Sequence, residues 1–237
     1  MVKTICFDLD GTLLPLDMKR FEPVYFNGLM KHFEGIIDGQ QLVKIIWEAT
    51  KAMITNKEHI TNETVFMNHL KTLIEPDQLG LYQQKFQDFY LSDFDSLKAI
   101  IEPNELIQQS VKLLQNKGYS ILLCTNPLFP QVAIHKRIEW AGFKPSDFSY
   151  VTTFENSHYC KPQIEYYQEV VNDNDLNASE CLMVGNDPLE DMIAQKIGMQ
   201  TYLITTHQVD REIALTPTFE GDYQAFYDFV QALPSLS

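Results

Sequence analysis

The stretch ICFDLDGTLL, residues 5–14, starts as a buried apolar strand and then places two carboxylates, Asp8 and Asp10, one residue apart before a glycine and a threonine. At the edge of a core, like charges repel and desolvation is costly. The pair repels itself unless a cation sits between its members, so the end of this strand reads as a site rather than as a turn.

Three further apolar runs resemble the first: YSILLCTN (119–126), CLMVGND (181–187) and TYLITT (201–206). Each is nearly continuous, without polar alternation, as expected of a strand buried on both faces of a parallel sheet. FSYVTTFE (148–155) is a weaker fifth candidate. Helical patterns separate them: Leu106, Ser110, Val111 and Leu114 before Gly118; Ile134, Ile138 and Ala141 before Gly142; Met192 to Ile197 before Gly198. A glycine at each end suits a left-handed cap. The alternation predicts an α/β fold, a doubly wound, Rossmann-like parallel sheet, in residues 1–15 and 101–237.

Residues 16–100 follow a different rule. Phe26, Leu29, Met30 and Phe33 share a helical face; so do Leu42, Ile45, Ile46, Ala49 and Met53, and Phe66, Leu70, Leu73 and Ile74. This is a block of three or four helices inserted after the first strand, with Pro103-Asn104 in the return linker.

With 237 residues, 45% of them hydrophobic, the chain can fill one sizeable domain carrying a smaller insertion. No run approaches the roughly 18 apolar residues of a membrane span. The N-terminal MVKTICFDLD carries no secretory pattern, so a cytoplasmic protein is expected. Cys6, Cys124, Cys160 and Cys181 have no CxxC spacing and read as reduced, buried residues. A formal net charge of −14 disfavours nucleic acid and anionic membranes as partners. Monomer and homodimer stay open.

Ligands of open α/β sheets bind beyond the carboxyl ends of the strands. There the chain places Asp8 and Asp10, Thr125-Asn126, and Asn186-Asp187, with Lys161 following the weaker strand. Thr125-Asn126-Pro127 alone would be a turn, and Asp187-Pro188 alone a helix cap. Together they form a set. Asp8, Asp10 and Asp187 offer hard oxygen ligands suited to Mg²⁺, while Lys161, Thr125 and nearby backbone N–H groups suit the oxygens of a phosphoryl group. Hydrolysis of a phosphate monoester can demand up to roughly 10²¹-fold acceleration, about 28 kcal/mol. A covalent route divides that barrier: one carboxylate attacks phosphorus and a second acid protonates the leaving oxygen, roles that fit Asp8 and Asp10.

The set DLDGT (8–12), CTN (124–126), Lys161 and GNDPLED (185–191) resembles the four ordered motifs of the haloacid dehalogenase-like hydrolase superfamily. The resemblance implies Asp8 as nucleophile and metal ligand, Asp10 as acid/base with its carbonyl on Mg²⁺, Thr125 and Lys161 on the phosphate, and an acidic fourth motif on the metal. It also implies that residues 16–100 are a cap that closes over the site. The dehalogenases proper lack the second aspartate, so Asp10 points to phosphoryl chemistry. Many members have aspartate where this chain has Asn186. Asp187 is assigned to the metal, with Asn186 as the alternative, neutral ligand; Asp191, four residues on at a helix start, is assigned to orientation together with Asn186 and Thr12, and Asn126 is placed on the phosphate. Lys51, Asn56 and His158 stay outside the catalytic set.

The expected function is a Mg²⁺-dependent phosphatase of a small phosphorylated metabolite. Alternatives are a phosphosugar mutase, and a phospho-accepting or phosphate-binding regulatory protein. No GxGxxG follows any strand, which disfavours a nicotinamide site.

Overall fold

The computed structural model describes residues 1–211 and 215–236. Six strands, β1 (Thr4–Phe7), β2 (Ser120–Leu123), β3 (Tyr150–Val151), β4 (Cys181–Gly185), β5 (Gln200–Ile204) and β6 (Phe219–Gly221), form one sheet in the order β3-β2-β1-β4-β5-β6. Every pairing is parallel. β1 is central, and the chain runs outward on one side through β2 and β3, then returns to β1's other edge with β4. The switch point of the sheet therefore lies at the end of β1.

Side chains alternate across the sheet. Ile5, Phe7, Leu123 and Val184 belong to the large core that also takes residues from α5 (Glu105–Asn116), α6 (Gln131–Trp140) and α8 (Tyr223–Ala232). Cys6, Leu122 and Met183 join a second core with Tyr166, Tyr167 and Val170 of α7 (Ile164–Asp173). Burial on both faces is the reason these strands read as unbroken apolar runs.

Between β1 and α5 lie α1 (Met18–His32), α2 (Gly39–Thr55), α3 (Asn62–Lys71) and α4 (Leu79–Leu91), followed by a 3₁₀ segment, Asp93–Ile100. Asp17, Asp38 and Thr61 cap the first three through side-chain oxygens that accept backbone N–H groups. The expected α2 stripe, Leu42, Ile45, Ile46, Ala49 and Met53, is buried throughout. Aromatic contacts join α1 to α4: the Tyr25 and Tyr90 hydroxyls are 2.7 Å apart, and the Phe33 ring lies 5.0 Å from both Tyr82 and Phe86.

The structure differs from the sequence reading in three places. The FSYVTTFE strand shrinks to the two residues of β3; Thr152 makes a last backbone bond to the Leu123 carbonyl, and its hydroxyl turns to the Thr125 carbonyl in the loop after β2. Met192–Ile197 is a 3₁₀ helix rather than an α-helix, ending at Gly198 with φ +94°. β6 has no apolar signal because it is a half-exposed edge strand. Among the described residues no helix is long and apolar enough to cross a membrane.

Candidate active site

Register brings the predicted residues together. Phe7 of β1 pairs with Leu123 of β2 and Val184 of β4, so the three strands end side by side. Asp8 N–H donates to the Val184 carbonyl at 2.9 Å and Cys124 N–H to the Phe7 carbonyl at 2.7 Å, which extends the ladder into the three loops.

Asp8, Lys161 and Asp191 form a buried ionic chain. Lys161 Nζ donates to Asp8 Oδ1 at 2.9 Å and to Asp191 Oδ1 at 2.7 Å, and the lysine is 1% exposed. Burial works against the Lys161 ammonium, but Asp191 and Asp8 outweigh it and hold its pKa well above the ordinary range. Asp8 goes the other way: burial pushes it up to about 8, and Asp191 and Asp10 add to that against the opposing pull of Lys161. A cation beside Asp8 would favour the ionised carboxylate.

Asp10 reaches the site from the turn after β1, where Gly11 adopts φ +84°. Its Oδ2 is ion-paired with Arg137 Nη1, and among the described residues its buried Oδ1 has no hydrogen-bond partner, nor does Arg137 Nη2. Arg137 is 1% exposed and its guanidinium lies 4.3 Å over the Phe129 ring. This arginine escaped the sequence reading. Its signal was there: it falls on the same α6 face as Ile134, Ile138 and Ala141, where a charge needs a partner.

The fourth motif is arranged differently from expectation. Residues 187–191 form a single turn, not a helix, closed from Asp191 N–H to the Asp187 carbonyl at 3.1 Å, and the two carboxylates go to different partners. Asp191 points inward to Lys161 and accepts from Asp187 N–H at 2.9 Å. Asp187 Oδ1 accepts from Leu189 and Glu190 N–H groups, and its Oδ2 pairs with Arg211 at 3.1 Å. Asn186 instead faces Asp8. Thr12 Oγ1 bridges them, 3.3 Å from Asn186 Oδ1 and 3.5 Å from Asp8 Oδ2, while Asn186 Nδ2 donates to the His207 carbonyl at 2.7 Å.

Thr125 is buried, its carbonyl accepting from the Thr152 hydroxyl at 2.8 Å and from the Tyr166 hydroxyl at 2.9 Å. The Asn126 side chain is used as a tie: Nδ2 donates to Glu190 Oε2 at 2.9 Å and Oδ1 accepts from Lys161 N–H at 3.2 Å. Lys51 is exposed, and Asn56 donates to the His158 carbonyl at 3.2 Å. A cavity of about 460 Å³ lies between α1–α4 and the loop after Asn126, walled by Phe21, Phe26, Phe66, Phe86 and Phe129.

The Asp8 carboxylate and the amide oxygen of Asn186, both bonded to Thr12 Oγ1, are oxygen donors of the kind that suits Mg²⁺. The donor chemistry fits the ion.

A model of the haloacid dehalogenase-like hydrolases matches residues 2–196. No curated protein matches the sequence. Among solved structures the chain resembles the HAD-hydrolase YfnB from Bacillus subtilis bound to magnesium, at 19% identity over 97% of this chain and 99% of that one, TM-score 0.62. It also resembles a HAD phosphatase from Thermococcus onnurineus (16%, 99% and 100% covered, TM-score 0.63). The 2-haloacid dehalogenase from Pseudomonas syringae pv. tomato DC3000 is similar to the same degree (18%, 98% and 99% covered, TM-score 0.65).

Proposed function

Because the chain belongs to the haloacid dehalogenase-like hydrolases, we propose that it is a Mg²⁺-dependent phosphatase of a small phosphorylated metabolite, working through an aspartyl-phosphate on Asp8. The observation that carries this reading is the buried Asp8–Lys161–Asp191 chain with Asp10 beside it. It supplies a nucleophile, a fixed positive charge and a second carboxyl group at the switch point of the sheet.

An Asp8 oxygen attacks phosphorus, the bond to the leaving oxygen breaks, and that oxygen takes a proton from Asp10. Asp10 then removes a proton from water, which attacks phosphorus and releases inorganic phosphate and the Asp8 carboxylate. Arg137 fixes Oδ2 of Asp10, leaving Oδ1 for these proton transfers. Lys161 and Thr125 N–H and hydroxyl groups receive the phosphoryl oxygens. Asp8, the Asp10 carbonyl and the fourth motif would hold Mg²⁺, which would supply neutralisation of the phosphate charge. In that motif Asn186, facing Asp8, is the better-placed ligand, and Asp187 anchors the turn through Arg211.

Residues 16–100 act as the cap, and the aromatic cavity they share with Phe129 adjoins the Arg137 that holds Asp10. The enzyme is cytoplasmic and acts on small molecules. A phosphate-release screen over phosphomonoesters, with and without Mg²⁺, tests the reading. Release that needs Mg²⁺ and vanishes in Asp8→Asn is expected; halide release from 2-haloacids with no phosphate release would overturn it.

A further inference from the structure

A second group of ligating side chains lies outside the site above. His59, in the loop between α2 and α3, stacks on His158 with ring centroids 3.9 Å apart and planes 30° from parallel. His158 Nδ1 is hydrogen-bonded to Glu169 Oε1, and its backbone N–H donates to Glu169 Oε2 at 3.1 Å. One ligand atom from each of the three residues lies within 4.8 Å of the others, and among the described residues no other trio of His, Cys, Asp or Glu does this.

We propose that His59, His158 and Glu169 bind a divalent transition metal of the Zn²⁺ class, across the contact between the helical segment and the sheet.

The donor set decides the class. Two imidazoles and one carboxylate favour Zn²⁺, Co²⁺ or Ni²⁺, whereas the all-oxygen set around Asp8 favours Mg²⁺. Zinc bonds of about 2.0–2.2 Å put tetrahedral ligand atoms about 3.4 Å apart, so His158 and Glu169, now in hydrogen-bond contact, would separate slightly to admit the ion while His59 closes on it. His59 is exposed, while Glu169 is buried and holds His158 through both Nδ1 and the backbone N–H. The position gives the ion a role. Asn62 and Glu63 N–H groups bond the Ser157 and Phe154 carbonyls at 2.9 and 2.8 Å, and Asn56 Nδ2 bonds the His158 carbonyl. Segment 56–63 thus clasps segment 154–161, which ends in Lys161, and the metal would fasten that clasp.

The test is a Zn²⁺ titration of the full chain in saturating Mg²⁺, followed by calorimetry and thermal unfolding, with Co²⁺ absorption reporting imidazole ligation. Wild type is expected to take up one Zn²⁺ that raises Tm, with His59→Ala abolishing this uptake while keeping the metal-free Tm. Glu169→Gln, nearly isosteric, is expected to weaken the site at least tenfold. No uptake by wild type, unchanged uptake in His59→Ala, or unchanged affinity in Glu169→Gln each overturns the proposal. None of these readouts depends on phosphatase activity.

Discussion

Asp8 carries a conflict between stability and chemistry. Its folded pKa of about 8 lies above the ordinary 3.8, so between these values the folded state holds a proton that the unfolded state has lost. The stabilising contribution is complete below about pH 4, falls as pH rises, and is gone above about pH 8. Metal-free protein should therefore lose stability across that window, and Asp8→Asn should flatten the dependence and raise Tm by several degrees at pH 8 while abolishing turnover. Added Mg²⁺ should restore part of the wild-type loss; thermal unfolding from pH 4 to 8 checks all three outcomes. Arg137 is the second residue to test. Arg137→Met leaves Asp10 without its partner, and kcat should fall at least tenfold with KM nearly unchanged; Arg137→Lys should recover part of the rate and shift the pH profile. A loss of stability alone, with kcat intact, would restrict Arg137 to packing.

The elements matter because their ends converge. Gly11 sits in the turn after β1 with φ +84°, and a Cβ there would lie 2.1 Å from Asn186 Nδ2. Gly11→Ala should cost about 1–3 kcal/mol and raise the Mg²⁺ concentration needed for half-maximal activity, because it displaces Asn186 from the Thr12 hydroxyl that joins it to Asp8. Unfolding midpoints and Mg²⁺ titrations of activity measure the two effects separately. On the same side of the sheet, Asn104 caps α5 by accepting from Leu106 and Ile107 N–H groups. Asn104→Ala should cost about 1 kcal/mol, read as a lower unfolding midpoint in urea.

At the scale of the molecule, one core runs through both parts of the chain. Phe21, Leu29 and Phe94 belong to the same buried cluster as Phe7 and Val184. Heat or urea should therefore unfold the chain in one cooperative transition, with far-UV circular dichroism and tryptophan fluorescence coinciding. Two separated transitions would show that residues 16–100 fold independently. Asn62 joins the parts directly: fully buried, its amide reaches the Pro127 and Tyr159 carbonyls, each 3.4 Å away. Asn62→Ala should lower both stability, by about 1–3 kcal/mol, and turnover, because these carbonyls lie in the loops that hold Thr125 and Lys161.

The sheet was legible because burial on both faces removes polar alternation, so KTICF, SILLC, CLMVG and TYLIT announce themselves residue by residue. Asp8, Asp10, Thr125 and Lys161 were legible too, since each follows an apolar run at the end where a parallel sheet presents its ligand site. Partnership was not. That Asp191 rather than Asp187 meets Lys161, that Asn186 faces Asp8, that Asn126 ties two loops and that Arg137 holds Asp10 all depend on side chains from distant segments meeting at one point. The sequence alone determined which residue types stand at the strand ends, because strand burial is a local pattern. Only the tertiary structure decided which of them touch, because hydrogen bonds and ion pairs depend on three-dimensional register that no local pattern contains.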